Sequence, residues 1–171
     1  MRLGRLGITY LIIVVILAAF VALLAAVVRT APQQVAAAAL IGPVVALVVL
    51  TAVVAVMMVA YRNLAVIRGA ATLRYFQTFA DKPAEWVERP ARTYMNLLEL
   101  PVLFYVVCLL MLATGRFDSV QVALAWIFVV TRCVHAFIYI GFNHVPLRFT
   151  AFLSGALALA VIWTRFAAQA L

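Results

Sequence analysis

Charged side chains are scarce in this 171-residue chain, at 11% of the total, and only five of them are acidic. A soluble domain is about a quarter charged and about half apolar, whereas 69% of this chain is apolar. That leaves too little polar surface to cover a globule in water. A soluble enzyme core and a nucleic-acid-binding module are excluded, and no nucleic-acid partner is expected. Cysteine is nearly absent too. Cys108 and Cys133 both fall inside apolar runs without metal-ligand spacing, so they read as packing residues, with no disulfide framework and no metal centre. Glycine and proline number only seven and six, too few for a collagenous or low-complexity tract.

What the chain has instead is long apolar runs. A membrane-spanning helix needs about 20 predominantly apolar residues. Residues 8–28 form the first such run, after Arg2 and Arg5, and it is too long for the apolar region of a signal peptide. Further runs cover 35–61, 92–114, 119–141 and 147–168. The expected fold is therefore all-α, a transmembrane helical bundle of five spans. Residues 62–93 form a polar loop between the second and third spans.

Orientation follows from the basic residues. With the N-terminus inside, nine lie on the inner side: Arg2, Arg5, Arg62, Arg68, Arg74, Lys82, Arg89, Arg92 and Arg148. Only Arg29, Arg116 and Arg165 lie outside, and Arg132 is within a span. The positive-inside rule then predicts a cytoplasmic N-terminus, an external C-terminus and a cytoplasmic 62–93 loop. Arginine outnumbers lysine twelve to one, a bias typical of GC-rich bacterial genomes. A bacterial inner membrane is the expected location.

Ionisable groups inside a span cost about 2.5–3.5 kcal/mol each at the centre, and they usually have a partner or a task. Glu88, Arg92, Asn96 and Glu99 recur at helical spacing on one face of the third span. Arg132, His135, Tyr139 and Asn143 do the same on the fourth. Glu99 lies about 10 Å along its helix from Arg92, and Arg132 about 16 Å from Asn143. The two charges fall at similar depth, which suggests a Glu99–Arg132 ion pair. Arg148 follows Pro146 in the first turn of the fifth span, where the helix dipole disfavours a cation. Either it anchors the helix at the headgroups, or helix terminus and guanidinium bind an anion together.

The run Glu88-Arg89-Pro-Ala-Arg92-Thr-Tyr-Met-Asn96-Leu-Leu-Glu99-Leu-Pro101 resembles the E-R-x-x-R-x-x-x-N-x-x-E-x-x-P signature of the MAPEG superfamily, with its proline one place early. These are membrane-associated proteins in eicosanoid and glutathione metabolism. Arg132-Cys-Val-His135-Ala-Phe-Ile-Tyr139 is similar to the family's R-x-x-H-x-x-x-Y. Arg148 falls nine residues later, where glutathione-using members place a thiolate-activating arginine. The resemblance implies a MAPEG-like four-helix core over residues 35–171, with residues 1–34 as one extra N-terminal helix. It also implies a homotrimer that holds glutathione as co-substrate between subunits. Arg89, Arg92, Asn96, Glu99, Arg132 and His135 would bind it, and Arg148 and Tyr139 would be catalytic.

Three functions compete on these residues. The first is a glutathione-dependent transferase or peroxidase acting on apolar small molecules that partition from the lipid bilayer. The second is a non-catalytic lipid-binding or scaffold protein of the same superfamily. The third is a small transporter or channel using Glu99 as its carrier residue. His135 and His144 are the only candidate haem ligands, and nothing in their spacing supports that use.

Overall fold

The computed structural model describes residues 2–78 and 83–171, apart from the side chains of residues 2–6, 73 and 78. Lys82 lies outside the described residues, as do the side chains of Arg2 and Arg5. Six helices appear in chain order: α1 (Arg2–Val28), α2 (Ala38–Ile67), α3 (Leu73–Thr78), α4 (Glu85–Thr114), α5 (Ser119–Ile140) and α6 (Val145–Ala170). All but α3 are long and apolar enough to cross a membrane, at 22 to 30 residues within the apolar limits. There is no strand among the described residues. This is an integral membrane protein built as an all-α bundle.

α2 and α4 extend helix into both ends of the 62–93 stretch, leaving 68–84 between them. Hydropathy marks where apolar residues stop, but a helix continues as long as its backbone hydrogen bonds can close. α3 occupies part of the remainder. α4 tolerates Pro90 and Pro101 within its length, and its first turn carries Glu85 and Glu88, which suit the positive end of the helix dipole.

In a bilayer the lipid is as apolar as leucine, so helices associate through close packing and polar contacts more than through the hydrophobic effect. The shared core of α2, α4, α5 and α6 is tight. Phe104 stacks on Phe128 with ring centres 4.7 Å apart, and Leu40, Leu47, Met111, Leu124 and Ile162 are fully buried around them. Cys108 joins this core, whereas Cys133 is exposed on the outer face of α5. The outward faces of α1, α2 and α4 are lined with exposed Val, Leu and Ile, and α5 exposes Trp126, Val130, Val134 and Phe137. Among the described residues α1 packs mainly on α6 and α5. Its exit is tied to the bundle where the Gln33 carbonyl accepts from Ser119 N at 2.9 Å and Gln33 N donates to Ser119 Oγ at 3.1 Å.

Asp118 locks the end of the bundle where α5 starts and α6 finishes. Its Oδ1 accepts from the backbone of Val120 and Gln121, completing a capping box with the Gln121 side chain. Its Oδ2 takes Arg165 at 2.8 Å and Gln169 at 3.0 Å. Burial pushes the Asp118 carboxyl up, but Arg165, the Gln121 backbone and Gln169 together hold it below the usual range. A carboxylate with a depressed folded pKa contributes stability above its unfolded value, and that contribution is lost as pH falls through the folded value. Asp118→Asn keeps an N-cap but removes the partly exposed ion pair, and should cost about 1–3 kcal/mol at neutral pH. Asp118→Ala should lose about 1 kcal/mol more with the cap. The melting difference between parent and Asn variant should be constant above about pH 5 and shrink below about pH 4. Equal melting of parent and Asn variant at neutral pH would contradict this assignment.

Candidate functional site

The opposite end of the bundle carries the clustered charge. α4 presents Glu85, Glu88, Arg89 and Arg92 on its first two turns, as i, i+4 pairs of favourable polarity. Arg89 Nη2 lies 3.2 Å from Glu85 Oε1, and Arg92 Nε 3.6 Å from Glu88 Oε2. Arg89 also reaches across to the Gly141 carbonyl at 2.8 Å, which fixes the end of α5 against α4. Arg92 faces both Glu88 and the phenol of Tyr139.

The α5–α6 connection completes the arrangement. α5 ends at Ile140, so Asn143 is not on the helical stripe expected of it. It sits in the turn at φ 48. Its amide bridges Glu85 Oε1 and Arg148 Nη1, each at 2.6 Å. His144 caps α6, its Nδ1 accepting from Leu147 N at 3.4 Å. The Arg148 guanidinium lies over the Tyr139 ring, 4.0 Å from its centre, a cation–π contact that steadies the charge.

Arg148, Tyr139 and Val145 form the boundary between two cavities. One, of about 360 Å³, is lined by Glu85, Glu88, Arg89, Arg92 and Asn143. The other, of about 230 Å³, is lined by Asn96, His135, Phe149 and Phe152. His135 is buried edge-on to Tyr139 and beside Phe152. Asn96 donates back to the Arg92 carbonyl at 2.9 Å. Arg89, Arg92, Asn96, His135, Tyr139 and Arg148 are thus brought together.

Glu99 and Arg132 are not. The expected ion pair between them is absent among the described residues. Equal depth in the membrane does not fix which way a side chain faces. Glu99 is exposed on the outward face of α4 beside Leu98 and Val102. Arg132 is 1% exposed and turns toward α6, where its Nη2 donates to the carbonyls of Ala151 and Phe152 at 3.1 and 3.0 Å. Its Nε and Nη1 have no hydrogen-bond acceptor among the described residues. The rings of Phe128 and Phe152, 5.4 and 5.3 Å from the guanidinium carbon, offer their faces instead.

Sequence reasoning missed Glu85 and Tyr75. Tyr75, on α3, donates to Glu88 Oε1 at 2.5 Å. Burial, followed by the hydrogen bond and charge of Glu88, raises its phenol above the usual range. Glu85 could have been found by extending the i, i+4 pattern one turn upstream of Arg89. Nothing local in the sequence signals that α3 folds back onto α4.

This geometry defines a class: a membrane-embedded helical bundle with a charged, two-chambered polar site at one end. The chain belongs to the MAPEG family, whose model matches residues 40–168. That makes it a membrane protein of the glutathione and eicosanoid metabolism superfamily. No curated protein and no solved structure gave a match.

The slot for Arg132 exists because residue 155 is glycine. A Cβ there would lie 2.3 Å from Arg132 Nη2 and 2.7 Å from Thr131 Oγ1. Arg132 is held between two aromatic rings and cannot retreat without losing its carbonyl partners. Gly155→Ala should therefore destabilise the bundle by about 1–3 kcal/mol through overpacking, read as a lower melting temperature in detergent. A variant that melts like the parent would show that α5 and α6 are not locked here.

Proposed function

We propose that the protein is a glutathione-dependent membrane transferase or peroxidase acting on apolar electrophiles that enter from the bilayer. The observation that carries this reading is the placement of Arg148 over Tyr139 at the boundary between a charged chamber and an aromatic one. Glutathione has two carboxylates and one ammonium group. The charged chamber offers three guanidinium groups, from Arg89, Arg92 and Arg148, and two carboxylates, from Glu85 and Glu88. The complementary charge suits a ligand that is anionic overall.

In this reading Arg89 and Arg92 hold the peptide from the charged chamber and Asn96 from the aromatic one, and Arg148 with the Tyr139 hydroxyl stabilises the sulfur. A free thiol has a pKa near 8.5 and is mostly protonated at neutral pH. Cationic and hydrogen-bonding groups lower that value. The thiol gives its proton to solvent, and the thiolate attacks an electrophilic atom of the second substrate, displacing its leaving group or cleaving its peroxide bond. His135, Phe149 and Phe152 line the chamber on the far side of Arg148.

Residues 1–34 form an appended helix on a core of residues 35–171, and the site end of the bundle faces the cytoplasm. The active form is a homotrimer. Exposed Glu99 supports this, since a carboxylate facing lipid is costly and a neighbouring copy would cover it. Arg132 serves the site by setting α5 against α6. A second reading, lipid binding without turnover, draws on an apolar groove of about 460 Å³ between α1, α5 and α6.

Arg148→Ala should raise the pKa of bound glutathione and slow conjugation. A loss of about 10- to 100-fold corresponds to about 1.4–2.7 kcal/mol of transition-state stabilisation. Thiolate absorbance across pH, measured with turnover of an apolar electrophile, checks this. Equal activity in variant and parent would remove the catalytic role, and no glutathione signal in the parent would favour lipid binding. Native mass spectrometry in mild detergent should show three chains. A stable monomer that keeps glutathione binding would contradict the trimer.

A further inference from the structure

We propose that Asn143 is a positioning residue that holds the Arg148 guanidinium in place without cancelling its charge. The inference deepens the reading above, in which Arg148 faces an anionic ligand atom.

Asn143 is the one non-glycine residue with positive φ among the described residues. Its N–H donates to the Ile138 carbonyl at 2.7 Å, closing the end of α5. Glycine adopts this conformation with less strain than any residue bearing a Cβ. The backbone alone therefore does not call for an amide side chain.

The contacts of that side chain do. A carboxylate only accepts hydrogen bonds and a guanidinium only donates them. An amide has one group of each kind and no charge, so it can join the two. Asn143 Nδ2 donates to Glu85 Oε1, and Oδ1 accepts from Arg148 Nη1. Glu85 is 64% exposed and lines the same chamber as Arg148. Without the amide between them, the carboxylate could swing onto the guanidinium and neutralise it. Asn143 instead ties Glu85 to its own side of the chamber, where Arg89 also holds it. Arg148 is then fixed by Tyr139 beneath and Asn143 alongside. Among the described residues Nη1 is its one guanidinium nitrogen in a hydrogen bond.

Two variants separate positioning from charge. Asn143→Gly fits the backbone and removes the bridge. Asn143→Asp keeps the size but places an anion against both Arg148 and Glu85. The Asp variant should form about 10- to 100-fold less thiolate from bound glutathione at neutral pH, while melting close to the parent. The Gly variant frees Glu85 to reach Arg148, so it should also lose thiolate, though less than the Asp variant, whose anion is fixed in place. A parental thiolate signal in the Asp variant would overturn the proposal, as would losses that simply follow melting temperature in both variants. Inorganic sulfate, compared with chloride at constant ionic strength, provides a probe independent of glutathione. Parent should be stabilised by sulfate more than Arg148→Ala, and Asn143→Asp should behave like Arg148→Ala. If parent responds to sulfate in this way but not to glutathione, the identity of the ligand fails and the role of Asn143 stands. If the Asp variant keeps the full sulfate response, that role fails.

Discussion

Arg148 is a cation at the start of a helix whose dipole already presents positive charge there. The rest of this end of the bundle is arranged around that conflict. Tyr139 supplies a ring face from α5, Asn143 a neutral acceptor from the turn, and Glu85 a carboxylate held one hydrogen bond further away. Arg89 and Arg92 add to the positive charge, and Glu85 and Glu88 balance part of it. The network joins α3, α4, α5 and α6 through side chains that each touch two elements. Moving any of them shifts the boundary between the two chambers.

Packing fixes the frame on which this network is hung. Arg132 is buried where α5 crosses α6, and Gly155 leaves room for it. One helical turn further along α5 comes His135, and another turn brings Tyr139. A buried mid-helix guanidinium with carbonyl acceptors and ring faces thereby sets the position of the residues under Arg148. At the far end, Asp118 closes the same two helices through Arg165 and Gln169. The helix pair α5–α6 is pinned near both ends and in the middle.

Much of this was legible in the sequence. Long uncharged runs define the spans, because a helix satisfies all its backbone hydrogen bonds within one segment inside lipid. Spacings of three and four placed Arg92 and Asn96 together, and His135 with Tyr139. Three things were not legible, each for a physical reason. Helical spacing gives depth and face within one helix but not the angle between helices, so Glu99 and Arg132 share a depth without facing each other. The periodic stripe on α5 extends to Asn143 in the sequence, although the helix ends at Ile140 and Asn143 itself takes the left-handed conformation in the turn beyond it. Tyr75 reaches Glu88 only because the connection from α2 folds back, and tertiary packing of that kind leaves no periodic signal. The family match begins at residue 40, beyond α1. α1 lies against α5 and α6, lining a groove with Leu147 and Thr150 rather than with Arg148.

The central claim is that this charged end binds glutathione as a thiolate. Calorimetric titration of glutathione into the purified protein in lipid nanodiscs tests it most directly. Repeating the titration in two buffers of different ionisation enthalpy reads the protons released on binding. At about pH 7 the free thiol is almost fully protonated, so capture as thiolate has to release that proton. The account predicts saturable binding with close to one proton released per glutathione. Binding with no proton release, or no binding heat at all, would contradict it.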